Sequence, residues 1–353
     1  MSDAQSDLLI FVSAFASGDD GAIHAYRLNT ESAELTLLNR AADVEQPFFL
    51  ALSPDRRHLY SIHEFGEGRV AAFAVNGEDG QLTLLNHQSS GGEGSCYVDV
   101  DATGKTLVVA NYNGGNVAAL PIKTDGSLGE PSSRFQHEGS SVNPDRQKEP
   151  HAHSFVISPD NNYAYAADLG MDQVVNYRLD AGTSTLSPNH QPFARTLPGA
   201  GPRHFTFHPH APHAYVINEM HNSVTMFDYD AATGTLIEQQ TIGTLPAGYD
   251  EVTHTADVKI TPNGKFLYGT NRGHDSIACY AIDDDGRLSL QGIEPSLGGG
   301  PQNLAITADG RLLLCANMVE GNVVVFAIDP ESGGISAVGE PVCLPSPSCI
   351  MIV

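Results

Sequence analysis

Along most of the chain, short apolar runs alternate residue by residue with polar positions, and each run closes on a small polar turn. Alternation with β-branched residues predicts strands, and the D-G and T-G dipeptides between runs predict hairpins. One composite block recurs: PFFLALSPDRRHLYSIHE, CYVDVDATGKTLVVANY, HSFVISPDNNYAYAADL, RHFTFHPHAPHAYVINE, ADVKITPNGKFLYGTNR and QNLAITADGRLLLCANM. Aligned on the residue that opens each turn (Ser53, Asp101, Ser158, His208, Thr261 and Thr307), the intervals are 48, 57, 50, 53 and 46. An apolar strand follows each block (RVAAFAV, NVAAL, QVVNYRL, SVTMFDY, SIACYAI, NVVVFAI). In several repeats a turn and a fourth short strand come next, as in EDGQLTLL and DDGRLSL.

Four antiparallel strands in each repeat of this length are the unit of a β-propeller. Six repeats are complete and a seventh is split. Leu8 to Leu38 supplies three strands, and CIMIV (349–353), read in register with FFLAL (48–52), supplies the innermost one. The expectation is an all-β, seven-bladed β-propeller forming a single domain over 1–353. Its split blade (8–38 plus 349–353) would leave no open strand edge. A series of β-sandwich modules explains neither the constant register nor the split unit. The chain has no Trp, so the scaffold is not WD-type by motif.

Charge narrows the partners. The 353 residues carry 42 Asp+Glu against 18 Lys+Arg, a net −24, and such a chain does not neutralise phosphates, so no nucleic acid is expected. With 41% hydrophobic and only 17% charged residues it is not a disordered acidic segment. MSDAQSD has no basic leader character, and Leu8–Ala16 is too short to span a bilayer. The five cysteines form no C-x-x-C pair and read as reduced thiols. A cytoplasmic monomer or weak homodimer, with no membrane association, is the resulting expectation.

In a quasi-symmetric ring, positions shared by all repeats serve the fold, and positions that differ are free to serve a site. Ten after the anchor stand His63, Asn111, Asp168, Asn218, Asn271 and Asn317, a structural set of short polar residues. Eleven after stand Glu64, Tyr112, Leu169, Glu219, Arg272 and Met318, and five before stand Phe48, Cys96, His153, Arg203, Ala256 and Gln302. These two irregular sets meet at one mouth of the central channel, because the second strand runs antiparallel to the first. His153, Arg203, Glu219 and Arg272 come from consecutive repeats and share one sector. Two guanidiniums, a carboxylate and an imidazole there can bind an anion and move a proton. The longest interval places HEGSSVNPDRQKEPHAH over the same mouth, with Arg146, Gln147 and Lys148 able to meet a ligand. His151 and His153, two apart on a strand, would point to one side. That is half a metal site, and with only His204 and His254 nearby no third ligand has a recognisable spacing, so neither metal nor cofactor is expected.

At these residues the chain resembles the seven-bladed lactonase family, typified by propeller-type 6-phosphogluconolactonases and including fungal carboxymuconate lactonizing enzymes. The resemblance spans nearly the whole chain and is carried most specifically by NPDRQKEPHAHSF (143–155), AADLGMDQV (166–174), GAGPRHFTFHP (199–209), VINEMHNSV (216–224) and TNRGHDSI (270–277). It implies that His153, Arg203, Glu219 and Arg272 form the active site. Arg146, Gln147, His151 and His204 would then bind a small anionic lactone. The sixth repeat departs, with Gln302 and Met318 where relatives often have Arg and Gln. The implied activity is opening of a sugar δ-lactone, foremost 6-phosphogluconolactone in the pentose phosphate pathway. Arg203 and Arg272 would grip the anion, and His153 or Glu219 would act as base. A lactonizing cycloisomerase, or a propeller that only presents a binding face, are the alternative readings.

Overall fold

The computed structural model describes residues 7–42, 44–63 and 66–353. Seven four-stranded antiparallel sheets succeed one another along the chain. Blade 1 is the split unit: Pro347–Ile352 lies innermost, followed outward by Asp7–Ala14, Ala22–Asn29 and Leu35–Ala41. Blades 2 to 7 start on inner strands Leu50–Leu52, Ser95–Val100, Ala152–Ile157, Pro202–Phe207, His254–Ile260 and Pro301–Ile306, and each runs outward in chain order. Inner strands pack side by side all the way round, with Pro347–Ile352 between those of blades 7 and 2, so the ring is closed. The fold is the seven-bladed β-propeller that the repeat predicts. Helix is confined, among the described residues, to one 3-10 turn at Gly18–Asp20, and no helix is long and apolar enough to cross a membrane.

The repeated residues earn their places locally. The anchor hydroxyls close the inner hairpin: Ser53, Ser158, Thr261 and Thr307 each accept from the backbone N–H five residues on and donate to the side chain two residues on. Seven after the anchor, Tyr60, Tyr165, Tyr215 and Tyr268 are buried against the next blade. Their hydroxyls donate to the carbonyls of Gly126, Gly234, Gly286 and Gly333 in its outer turn. Each lock joins a large apolar face to one satisfied polar tip, the condition for burying tyrosine at low cost. The apolar seams lie between blades, as where Tyr165, Phe205 and Phe227 meet between blades 4 and 5.

One irregularity recurs where the site forms. In blades 3, 4, 5 and 7 the inner strand carries a β-bulge at Cys96, His153, Arg203 and Gln302, each lying unpaired between paired neighbours, and blade 6 has one spanning Ala256 and Asp257. These are the positions five before the anchor. A bulge leaves its residue off the ladder and re-aims its side chain, here toward the channel. Blade 1 has the same bulge at Ser348, with Pro347 opposite Ala14 and Cys349 opposite Ser13. Cys349 therefore corresponds to Phe49 and not Phe48. The closing strand starts two residues earlier than the sequence pattern places it, and its register is shifted by one.

Candidate active site

Glu219, just past the second strand of blade 5, is the hub of the channel mouth. Its Oε1 accepts from Arg146 Nη2 at 2.8 Å, and its Oε2 accepts from Arg203 Nε at 3.1 Å and Arg272 Nη2 at 3.0 Å. His153 Nε2 stands 3.9 Å from the same oxygen. Arg203 is 1% exposed, and its Nη1 also donates to the Ala256 carbonyl and His204 Nε2. Arg146 and Arg272 are partly exposed, with 37% and 27% of their side chains accessible. Arg272 is further steered by the carbonyls of His254 and Thr255 and by Gln302 Oε1.

Burial alone would push the Glu219 carboxyl up. Arg272 and Arg203, with the Arg146 hydrogen bond, overcome it and hold the group well below the usual carboxylate range. Burial, reinforced by Arg203, pushes His153 far down despite Glu219, so its imidazole is neutral and the 3.9 Å approach is no ion pair. Burial, with Arg272 beside it, brings Arg203 down to about 10. The mouth thus holds three guanidiniums against one carboxylate, a local positive excess on a strongly acidic protein. His153 Nδ1 is buried and has no hydrogen-bond partner.

The insertion before blade 4 is held by one carboxylate. Asp172 is buried, at φ +53, and accepts from Ser141 Oγ (2.6 Å), Gln147 Nε2 (2.7 Å), and the N–H groups of Gly199 (2.6 Å) and Gly201 (2.7 Å). It ties the loop bearing Arg146 to the loop that leads into Arg203. Asn143 Oδ1 turns the loop further by accepting from Asp145 and Arg146 N–H. Asp172→Asn places an amide N–H against donors and is expected to cost about 2–4 kcal/mol, at 1.5–3 kcal/mol per charged hydrogen bond. The check is thermal unfolding together with protease nicking between 139 and 150. An unchanged melting temperature with an uncut loop would show that the cage holds nothing.

The structure brings the four repeat positions His153, Arg203, Glu219 and Arg272 together, with Arg146 of the insertion beside them, but divides the labour differently. Arg203 is too buried to grip a ligand, so the accessible pair is Arg146 and Arg272. Gln147 is fully buried, with its amide spent on Leu169 O, Asp172 and Asn143 N–H, and serves the loop, not a ligand. His204 is 3% exposed and lies behind Arg203, donating to Asp257. His151 lies one residue before the strand Ala152–Ile157, and His153 is its bulged residue; both rings meet Tyr112. His151 stacks on Tyr112 (4.4 Å, 14°) and His153 meets the same ring edge-on (5.1 Å, 71°). Lys148 is exposed. Among the described residues, no three His, Cys, Asp or Glu side chains are placed to hold a metal ion. Glu64, the counterpart of Glu219 in blade 2, lies outside the described residues.

Three residues escaped the sequence reading. Tyr112, whose hydroxyl accepts from Arg146 Nη2 at 3.2 Å, stood in the irregular set but carries no charge to draw notice. Asp172 gave no periodic signal. Asp257 is four before its anchor, and that column (Phe49, Tyr97, Ser154, His204, Asp257, Asn303) is as irregular as its neighbour.

Comparison with known proteins agrees with this fold. Residues 9–352 match the family model described as "Lactonase, 7-bladed beta-propeller". A Bacillus subtilis protein named 6-phosphogluconolactonase is 34% identical over 342 residues, 96% of this chain and 97% of that one. One of the same name from Formosa agariphila is 33% identical over 92% and 93% of the two chains. The solved structure of a Pseudomonas aeruginosa periplasmic gluconolactonase superposes with a TM-score of 0.93 at 30% identity, covering 99% of each chain.

Proposed function

Since the chain belongs to the seven-bladed β-propeller lactonase family and is a lactone hydrolase, we propose that it opens an anionic sugar δ-lactone, foremost 6-phosphogluconolactone, to the acid. The observation that carries this is a neutral imidazole whose Nε2 lies 3.9 Å from a carboxylate that three guanidiniums hold ionised. In this reading His153 is the base, because Glu219 is too firmly ionised to take a proton at working pH. A water hydrogen-bonded to His153 attacks the lactone carbonyl and gives its proton to the imidazole. The carbonyl π electrons move onto oxygen, where Arg272 or Arg146 meets the charge. Collapse breaks the ring C–O bond, and the imidazolium returns the proton to the departing hydroxyl. Glu219 stabilises the transient imidazolium and keeps the arginines in place. With the protein's net −24 repelling anions, the local excess of guanidinium is what draws the substrate in. A cytoplasmic role in the pentose phosphate pathway accords with this substrate.

A gluconolactonase at 30% identity favours a second reading, an uncharged lactone. Initial rates above spontaneous opening, on the phosphorylated and unphosphorylated δ-lactones, separate the two. Arg146→Ala and Arg272→Ala are each expected to raise KM for the phosphorylated lactone by about 10–100-fold, the value of a charged hydrogen-bonded contact, and to leave the uncharged lactone within a few-fold. Equal effects on both substrates would remove the phosphate from the reading. The same assay run with a carboxymuconate substrate tests for cycloisomerisation.

A further inference from the structure

We propose that His204 and Asp257 are positioning residues that fix the Arg203 guanidinium against Glu219, at the head of a hydrogen-bonded line running through the channel to Lys259 near its opposite mouth. The proposal rests on the assignment of Glu219 and Arg203 to the active site and goes beyond it, since His204 and Asp257 are buried behind those residues.

The line is continuous. Glu219 Oε2 accepts from Arg203 Nε (3.1 Å), Arg203 Nη1 donates to His204 Nε2 (3.1 Å), and His204 Nδ1 donates to Asp257 Oδ1 (2.7 Å). Lys259 Nζ reaches both Asp257 oxygens (2.8 and 2.7 Å). Its direction is fixed by chemistry. A guanidinium has only N–H donors, so His204 Nε2 must present its lone pair and the proton must sit on Nδ1. Asp257 is built to demand that proton. Its remaining capacity is taken by Asn303 Nδ2 (2.8 Å) and the Leu304 N–H (2.9 Å), and it is fully buried. Burial would raise its carboxyl, but Lys259 and His204 hold it well below the usual range, so it stays ionised. The ring of His204 is also gripped by shape, edge-on to Phe49 (5.7 Å), Tyr97 (5.2 Å) and His153 (5.7 Å). At the far end, Lys259 and Asn303 line a cavity of about 370 Å³ with Tyr97 and Met351. His204, Asp257 and Asn303 all sit four before their anchors, the first and last directly after a bulge and Asp257 within one. The bulge therefore presents two consecutive residues to the channel, one for the mouth and one for the line beneath it.

Protonating His204 would convert its acceptor nitrogen into a donor facing a guanidinium, which breaks the line at Arg203. Burial, then Arg203 and Lys259, oppose that charge, while Asp257 favours it, and the balance brings His204 down to about 4. Removing Lys259 takes away one opposing charge and so moves His204 protonation toward neutral pH.

The test uses the full chain with His204→Phe and Lys259→Met. His204→Phe keeps the ring volume and is expected to lower kcat about 10–100-fold with KM within about threefold, the pattern of an interaction felt in the transition state. Lys259→Met is expected to leave kcat at neutral pH near the parent and to shift the acid limb of the kcat/KM profile upward by about half a pH unit or more. A ¹⁵N-edited histidine spectrum of the parent, with His204 assigned by its loss in His204→Phe, is expected to show the neutral Nδ1–H tautomer at pH 7. Parental kcat in His204→Phe, an unmoved acid limb in Lys259→Met, or an Nε2–H tautomer would each overturn the proposal. If His204→Phe does not fold, the Lys259→Met profile decides. A parent that never exceeds spontaneous opening refutes the lactone assignment instead, and the Nδ1–H signal, located through Lys259→Met, then decides this proposal alone.

Discussion

Glu219→Gln is expected to reduce lactone opening by about 10²–10⁴-fold, the usual worth of a positioned acid–base partner, and to destabilise the fold at the same time. Glutamine is isosteric, so the loss is one of charge. Arg203, 1% exposed, would be left buried without its counter-ion, a change that costs about 3–5 kcal/mol when one partner of a buried pair is removed. The sign of the pH dependence follows from the depressed Glu219 carboxyl. Its stabilisation is fully present above the unfolded glutamate value and is lost only as pH falls toward the lower folded value. Parent and variant should therefore differ most at neutral pH and converge in strong acid, which thermal melts across pH will show. His153→Ala removes the proposed base without stranding a charge. It should lower kcat over the same range while keeping most of the melting temperature. Parental rates in both variants would end the assignment of this mouth as the active site.

Deleting Pro347–Val353 is expected to give an aggregating chain, or one whose melting temperature falls by tens of degrees. The segment supplies the innermost strand of blade 1, with Cys349 and Ile350 buried and Ile350 N–H donating to Asn303 Oδ1 at 2.8 Å. Its loss bares the edge of Asp7–Ala14 and opens the ring between blades 7 and 2. Two or three buried side chains at about 1.5–3 kcal/mol each already approach the stability of a typical domain. Light scattering and calorimetry on the truncated chain are the checks. A melt that matches the full chain would mean that the closure is not structural.

The propeller was legible because its signal repeats: strand alternation, anchored turns and the split unit are local and periodic. The candidate cluster was legible for the converse reason, since Glu219 and Arg272 stand in a column that no single residue type fills around the ring. Depth was not legible. Arg203 and Arg272 look alike in sequence, but a bulge turns the first inward while the second stays at the rim, and only the first is sealed by its neighbours. The period-two rule does not reach His151, which falls one residue outside the strand Ala152–Ile157. Gln147 lies beside Arg146 in the insertion and faces the opposite way because Asp172, 25 residues later, claims its amide. No local pattern encodes that contact. The one-residue slip in the closing strand has the same origin, because CIMIV aligns by hydropathy at either register and the bulge at Ser348 decides between them.

The strand that seals blade 1 is also the last described one to leave the ribosome. Ala14 and its partner Pro347 are separated by 333 positions, so at about 5–20 residues per second the nascent first strand waits roughly 20–70 s for its neighbour. Throughout that interval six blades can assemble, but the circle cannot shut. Synthesis of this protein therefore passes through an arc with two exposed flanks, and translation speed sets the shortest time for which they stay open.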